Sequence, residues 1–506
     1  MKTNTKDPKS QGANKRAKAA PTKRTGFITF ITAKEQRWEV VAMLVGLLGL
    51  YGLFSWCYPM PFATADSSNY VYCAGIKDYG GYRPEGFSWL LRFAHVFGTS
   101  FNAVGALHFV LYAWGSVLMA FTIKRFFPPR APWMFWSVLA VLTLNPGGMY
   151  MLRWTLSDPS NLAFTMLWAG SLIWLLYDRA SIAMILLHAL AMFLAIKMRY
   201  SSMILPLISL AAVLMRYRVR KGWYLALLSV LPALAVYTDG VSDNQRLFDI
   251  KIFSGFSGWA QANNLSAVIP YVRDDKNPIS DPEIRSLHKG LQGFNDSCYT
   301  FEKVSATAFI WKPNHPGKAV LMADRRMHPN DGYVRSWVRT GVLLGKYASF
   351  LRGRYPGKYI RYFLLPNLGN VFDPPLDIGA YTPVKVDENS QQWFGITAAT
   401  YSSTYDLFGQ WCITVQQRSY QLLVVVAITL LIVWYFRSRK RSMDSDQRAV
   451  IAALAFFLFA SIGFLVVGHP VLFRYVMGFT PYFILLIYAL LMSWPSKPVA
   501  GVTTTA

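Results

Sequence analysis

Charge is what this chain has least of. Only 15% of its 506 residues are charged, and Asp plus Glu number 26 against 51 Lys plus Arg. With 53% hydrophobic and 16% aromatic residues, a soluble enzyme of this length is excluded and a polytopic membrane protein is expected. The basic excess, formally +25, is scattered between apolar runs and forms no single face or nucleic-acid motif. Nucleic acid is therefore excluded as a partner, and cytoplasmic loops lying against anionic membrane lipid are the expected use of the charge. Two further absences matter. No His/Cys cluster stands at metal-ligand spacing, so a divalent metal, held for instance by Asp66 and Asp158, stays an open question. No nucleotide-sugar signature is present either. Cysteine is scarce: Cys57, Cys73, Cys298 and Cys412. All four fall on the side read below as external, where Cys57–Cys73 and Cys298–Cys412 pairs or four free thiols are equally compatible with the sequence.

What is present is a series of apolar runs of spanning length, about 17–25 residues. They lie near 38–57, 103–122, 132–151, 160–177, 180–197, 222–239, 418–436, 449–468 and 475–494, with a shorter tenth near 201–215. Residues 1–37 are basic, without apolar periodicity, and read as a disordered cytoplasmic tail. The run at 40–56 is near spanning length and lacks a small-residue cleavage site, so an uncleaved first helix is expected and not a signal peptide. With that tail inside, "KRFFPPR" (124–130), "YDRA" (177–180), "RYRVRKG" (216–222) and "RSRKRSMDSDQR" (437–448) all fall inside as well, as the positive-inside rule asks. Dropping 201–215 would break this pattern.

The expected organisation is a basic tail (1–37), a transmembrane module (38–239) with an external loop at 58–102, an external domain (240–417), C-terminal spans (418–494) and a cytoplasmic tail (495–506). The external domain is too long for a structureless loop. Pro, Gly, Asn and Asp between short apolar runs predict a mixed α/β fold there. "YPGKYIRYFLLPNLGNVF" (355–372) and "EGFSWLLRFAHVFG" (85–98) are amphipathic and predict helices on the membrane surface.

Asp66 stands at the start of "DSSNYVYCAG" (66–75), just past the first run. By itself it reads as a solvated loop residue or a helix cap. Together with "YRPEGFSWLL" (82–91), it resembles the first external loop of bacterial GT-C glycosyltransferases, relatives of protein O-mannosyltransferases and of aminoarabinose transferases acting on lipid A (family 39-like). That loop reads roughly D-S-x-x-Y, a gap, then R-x-P-G-Y/F-x-x-L-L. This chain departs from it at "RPEG". The resemblance covers the topology and the membrane half and leaves the external domain unmatched. It implies a helix bundle with juxtamembrane helices, a sugar donor on polyprenyl phosphate, inversion, and Asp66 as the base. Tyr70, Arg83 and Glu85 become candidate substrate-binding residues.

Further candidates sit at the other external turns. Arg153 and Asp158 flank the turn in "LRWTLSDPSN", where Asp158 before Pro159 reads equally as a helix N-cap. Arg199 lies at the third turn, and His469 and Arg474 at the last. Each Arg has an alternative as a side chain snorkelling to headgroups. Trp259, Asn263 and Asn264 open the external domain and read either as a sugar-binding cluster or as a packed domain start. His108 and His188 lie within spans and read as hydrogen-bonded bundle histidines.

These residue types suit one chemistry. A leaving polyprenyl phosphate carries growing negative charge at headgroup depth and needs fixed positive charge there, for which Arg153, Arg199 and Arg474 are the candidates. The acceptor hydroxyl needs a base, Asp66. The expectation is a bacterial inner-membrane glycosyltransferase with both termini cytoplasmic and a periplasmic site. Its acceptor is an envelope glycan, lipid or protein; O-antigen and lipopolysaccharide modification are among the choices. Two rivals remain. An O-antigen ligase or polymerase would rely on Arg352, Arg354, His315 or His328. A transporter of lipid-linked sugars would keep polar sites near mid-span.

Overall fold

A computed structural model describes residues 26–59, 62–63, 65–76, 83–177, 181–272, 279–292, 315–376, 388–396, 403–438 and 444–494. Most of the two terminal tails and Cys298 lie outside the described residues. The membrane half begins with α1 (Phe27–Ile31) and α2 (Arg37–Cys57), followed by the loop helices α3 (Ala65–Ile76) and α4 (Gly86–Phe97). Next come α5 (Phe101–Phe126), α6 (Pro132–Thr143), α7 (Pro146–Met151), α8 (Asp158–Tyr177), α9 (Ile182–Met198) and α10 (Leu205–Phe248). The segment between the spans holds α11 (Ser257–Leu265), α12 (Pro282–Gln292), α13 (Pro316–Met327), α14 (Tyr333–Arg354), α15 (Pro356–Tyr359), α16 (Leu365–Gly369) and α17 (Glu388–Phe394). The chain closes with α18 (Ser403–Ser438), α19 (Ser445–Gly468), α20 (Phe473–Val476) and α21 (Thr480–Met492). Eight helical stretches are long and apolar enough to cross a membrane, and Ile182–Met198 is a shorter apolar one. The protein is a polytopic α-helical membrane protein.

α8 is the central helix, buried along nearly its whole length. Its indoles fasten it to its neighbours. Trp174 Nε1 donates to Thr122 Oγ1 of α5 at 2.8 Å and Trp168 Nε1 to Ser209 Oγ of α10 at 2.9 Å. In a low-dielectric bundle such polar pairs fix register because neither partner has water as an alternative. His188 is held inside the bundle by the Ser171 and Ser209 hydroxyls, whereas His108 meets Leu152 O through Nδ1 at 3.1 Å and leaves its buried Nε2 without a hydrogen-bond partner.

One span differs from expectation, and two are joined without a break. The run 132–151 is two helices, because Pro146 restarts the chain as α7 with Asn145 Oδ1 capping Gly148 N at 2.9 Å. The two spans expected at 201–215 and 222–239 are present as Tyr200–Tyr217 and Trp223–Phe248, joined in α10, whose 44 residues drawn straight would reach about 66 Å. α10 folds back instead. Val213 and Leu228 line one small cavity, and Asp239 meets Lys197 at the end of α9, so both ends of α10 lie at the same end of the bundle.

The segment expected to be external departs more. A mixed α/β fold was expected, but the described residues of 240–417 form helices and turns, and the only β pairing among the described residues is the Phe62–Trp154 bridge. The short apolar runs are helix faces. α11, α12 and α14 close a core around Trp259, Trp337, Leu344, Tyr347 and Leu351. Trp259 and Trp337 stack at 4.0 Å between ring centres, and Trp259 Nε1 donates to Trp337 O at 2.9 Å. From α14 the chain runs through α15, a π-helical turn (Ile360–Leu364) and α16, exposing Ile360, Leu365, Leu368 and Phe372. Asn367 clasps this amphipathic strip to the end of α19, donating to Val466 O and His469 O and accepting from Val471 N. Phe93, Val96 and Phe97 of α4 are similarly exposed. The Cys57–Cys73 pair does not form, since Cys57 and Cys412 are buried thiols.

Candidate active site

The loop between α2 and α5 folds because short hydrogen bonds hold it to the turn before α8. Ser67 Oγ donates to Thr155 O at 2.8 Å, and Phe62 and Thr155 exchange backbone bonds with residues 153 and 62. Ser88 Oγ and Arg92 tie α4 to the carbonyls of Tyr70 and Ala74. Gly86 lies so close to α9 that a Cβ there would stand 2.7 Å from the Lys197 carbonyl. Asp66, in the first turn of α3, is thereby carried to the ends of α8, α9 and α20.

Five charged side chains meet there. Arg83 Nη2 reaches Asp66 Oδ1 at 2.8 Å, and Arg474 Nη2 reaches Asp66 Oδ2 at 3.5 Å. Arg474 Nε lies 3.5 Å from Asp158 Oδ1, which also pairs with Arg199 Nη1. Asp66 and Asp158 are thus joined through Arg474, with Arg83 and Arg199 at the two ends. Tyr475 lies under both Arg199 (5.0 Å) and Arg474 (5.3 Å), and Arg83 sits 5.9 Å from the Tyr70 ring. Burial, the largest single influence on Asp66, pushes its carboxyl up, but Arg83, Arg474 and Arg199 together outweigh it and hold it below the ordinary 3.8. Asp66 is therefore an ionised carboxylate at neutral pH. His469 is pushed down from 6.5 to about 4 by burial, with Arg199 adding to the effect, and is neutral.

This network lines a cavity of about 670 Å³. One part of the wall is polar, with Asp66, Arg83, Asp158, Arg199 and Arg474. Another is apolar and belongs to the spans, with Leu162, Leu205, Phe457 and Phe464. Phe464 and Val467 are also exposed on the outer surface of the bundle. A third part comes from the helices between α10 and α18, with Gln261, Asn264 and Arg352.

Of the residues singled out from sequence, Asp66, Tyr70, Arg83, Asp158, Arg199, Asn264, His469 and Arg474 share this cavity. Four do not line it. Arg153 is fully buried and holds the loop backbone, donating to Tyr58 O, Pro59 O and Asn102 Oδ1 at 2.9–3.3 Å over the Phe101 ring. Trp259 belongs to the core of the helices between α10 and α18, and Asn263 is buried beside it. Glu85 pairs with Lys197, which also pairs with Asp239. Burial raises the Glu85 carboxyl and Lys197 offsets only part of that. Glu85, Asp239 and Asp243 stand close enough to hold a cation, and the Lys197 ammonium is the one already on two of them. Arg474 bridges Asp66 and Asp158, at 3.5 Å from each.

Residues of the ligase-like alternative are not gathered. His315 is buried and caps Gly317 N, His328 ends α13, and Arg354 stacks on Phe350. Arg352 alone of that set reaches the cavity. Arg352 and Gln261 were not linked to Asp66 by any local motif; only the packing of α11 on α14 brings them in.

No family model matches this chain, and no curated protein matches it. Among solved structures, the chain is similar to ArnT from Cupriavidus metallidurans bound to undecaprenyl phosphate, at 13% identity and a TM-score of 0.35, covering 90% of this chain and 78% of that one. The apo state of the same protein gives 14% identity and a TM-score of 0.33 over the same shares.

Proposed function

We propose that this chain is a membrane glycosyltransferase that moves a sugar from a polyprenyl-phosphate donor to a hydroxyl of an envelope glycan, lipid or protein. On this reading it works at the periplasmic face of a bacterial inner membrane, with both termini in the cytoplasm. One observation carries the proposal: an ionised Asp66 stands among arginines in a cavity whose wall passes from guanidinium groups into the apolar spans. A ligand that fits such a wall is anionic at one end and hydrocarbon at the other, with a polar group left in reach of Asp66. A lipid-linked sugar has that form. A transporter of the same lipid would hold its charged groups near mid-span, whereas these lie at helix ends and in loops.

The chemistry follows from the charges. The bond from the anomeric carbon to the phosphate oxygen breaks as a bond to the acceptor oxygen forms, and the acceptor proton passes to Asp66. Inversion follows from attack opposite the leaving phosphate. The donor phosphodiester carries one negative charge and the departing phosphate monoester approaches two. Arg474 and Arg199 stabilise that increase by fixed positive charge at the leaving group. The network also prepares the base. In the empty cavity, Arg83 and Arg474 depress the basicity of Asp66. A bound phosphate draws on the same guanidinium groups, so Asp66 becomes a stronger base when donor is present. Asp158 is the positioning residue that aims Arg199 and Arg474.

The test is transfer of label from radiolabelled polyprenyl-phosphate sugars to envelope material, comparing wild type with Asp66→Asn at equal membrane levels. A fall of about 100-fold or more is expected for loss of a general base. Unchanged transfer would sink the assignment of Asp66 and with it this mechanism.

A further inference from the structure

The cavity holds more positive charge than a lipid phosphate requires, and the surplus is on the wall that the helices between α10 and α18 supply. Four arginines and two aspartates line it among the described residues. Arg83, Arg199 and Arg474 are engaged with Asp66 and Asp158. Arg352 is different. Its partners are neutral: Gln261 Oε1 at 2.5 Å, Ser349 Oγ at 3.4 Å and the Tyr359 hydroxyl. No carboxylate of the described residues pairs with it. A half-buried guanidinium without an anion is a strong site for one, since a charge-assisted, two-pronged bond forms without breaking an existing ion pair.

A second observation on the same wall points to a ligand. Asn264, one helical turn from Gln261 on α11, is buried to 3% exposure. Its amide donates to Gly468 O at 2.9 Å, while its carbonyl Oδ1 is buried with no hydrogen-bond partner. An orphaned buried acceptor of this kind is destabilising unless a donor meets it, and a sugar hydroxyl is such a donor. The Gln261–Asn264–Arg352 wall therefore offers an acceptor, an amide and a cation side by side.

We propose that Arg352, with Gln261 and Asn264, forms a subsite for an acidic group, a carboxylate or a phosphate, carried by the transferred sugar or by the acceptor. This rests on the glycosyltransferase reading and narrows its substrate class. It also sets an exclusion. Both cavity carboxylates are already held by arginines, so no anionic side chain is left to receive the ammonium group of an amino sugar.

The experiment uses the full chain in lipid nanodiscs. Binding and transfer are both measured with two polyprenyl-phosphate donors, one carrying a hexose and one the matching hexuronic acid. Transfer is also measured with lipid A as acceptor, before and after removal of its phosphates. Wild type is compared with Arg352→Gln and Arg352→Lys. The expected result is a preference of about tenfold or more for the acidic member of one pair, lost in Arg352→Gln and partly kept in Arg352→Lys. If the preference lies between donors, the source is the sugar; if between acceptors, it is the acceptor. Equal use of both members of both pairs by wild type overturns the subsite while leaving the transferase reading intact. Preferential binding of the uronic donor with no transfer would keep the subsite and sink the transferase reading. A loss in Arg352→Gln that is equal for acidic and neutral substrates also overturns it, making Arg352 a general structural or phosphate-binding group.

Discussion

At the scale of single residues, three arginines that look alike in sequence do different work. Arg153, Arg199 and Arg474 all fall at turns on one end of the bundle, and hydropathy places them correctly there. It does not say which way a guanidinium points. Arg153 turns inward to the carbonyls of Tyr58 and Pro59; the other two turn to Asp158. Arg153→Gln should therefore cost stability, about 2 kcal/mol or more from carbonyls left without donors. It should lower the amount of protein in membranes while leaving the KM of the surviving enzyme unchanged. Arg474→Gln should do the reverse, with near-normal abundance and transfer lowered about 100-fold or more, the scale for a lost anion-stabilising group. His469 gives a test by pH. Its folded value, about 4, lies below the ordinary 6.5, so the unfolded chain binds the extra proton between them. Stability should rise from about pH 4 to about pH 6.5 and level off above, and His469→Gln should flatten that rise in detergent-solubilised protein followed by thermal unfolding. Asp66 was legible because its motif is local. Arg352 was not, because it is remote in sequence from the first loop and meets it only through packing.

At the scale of elements, the spans were readable from apolar length, and the misreadings have identifiable causes. A hydropathy window cannot see that Pro146 and Asn145 divide 132–151 into two helices. In the segment expected to be external, short apolar runs between prolines look like strands, but they are the inner faces of amphipathic helices such as α12 and α14. Close backbone approach locks two of these together: Gly258 of α11 lies against the Gly341 carbonyl of α14 with no room for a Cβ. Gly258→Ala should separate α11 from α14 and, since Gln261, Asn264 and Arg352 ride on them, lower thermal stability and transfer together. Asn367→Ala acts on another joint. It removes three hydrogen bonds between the amphipathic strip and the end of α19. Its expected effect is faster protease cleavage near 360–370, with the spans still resistant.

At the scale of the whole molecule, charge is sorted along the bundle. Lys124 pairs with Glu39, Arg216 with Asp446 at 3.2 Å, and Arg130 caps the α21 carbonyls, all at the end away from the cavity. The sign pattern that oriented the chain from sequence thus corresponds to one face of the fold, opposite the Asp66 network. With Cys73 and Cys298 replaced by Ser, a membrane-impermeant thiol reagent added from the periplasmic side should label Lys251→Cys and spare Arg130→Cys. Equal labelling, or the reverse, would overturn the orientation.

The cavity wall holds two more positive than negative charges. On the reading proposed above, that balance has a kinetic cost. A phosphate monoester, with a second pKa near 6, is dianionic at neutral pH and matches the wall better than the singly charged donor does. Spent carrier should then be slow to leave. Turnover would be paced by its departure, free polyprenyl phosphate should inhibit in competition with donor, and that inhibition should weaken as pH falls below about 6, where the carrier loses its second charge.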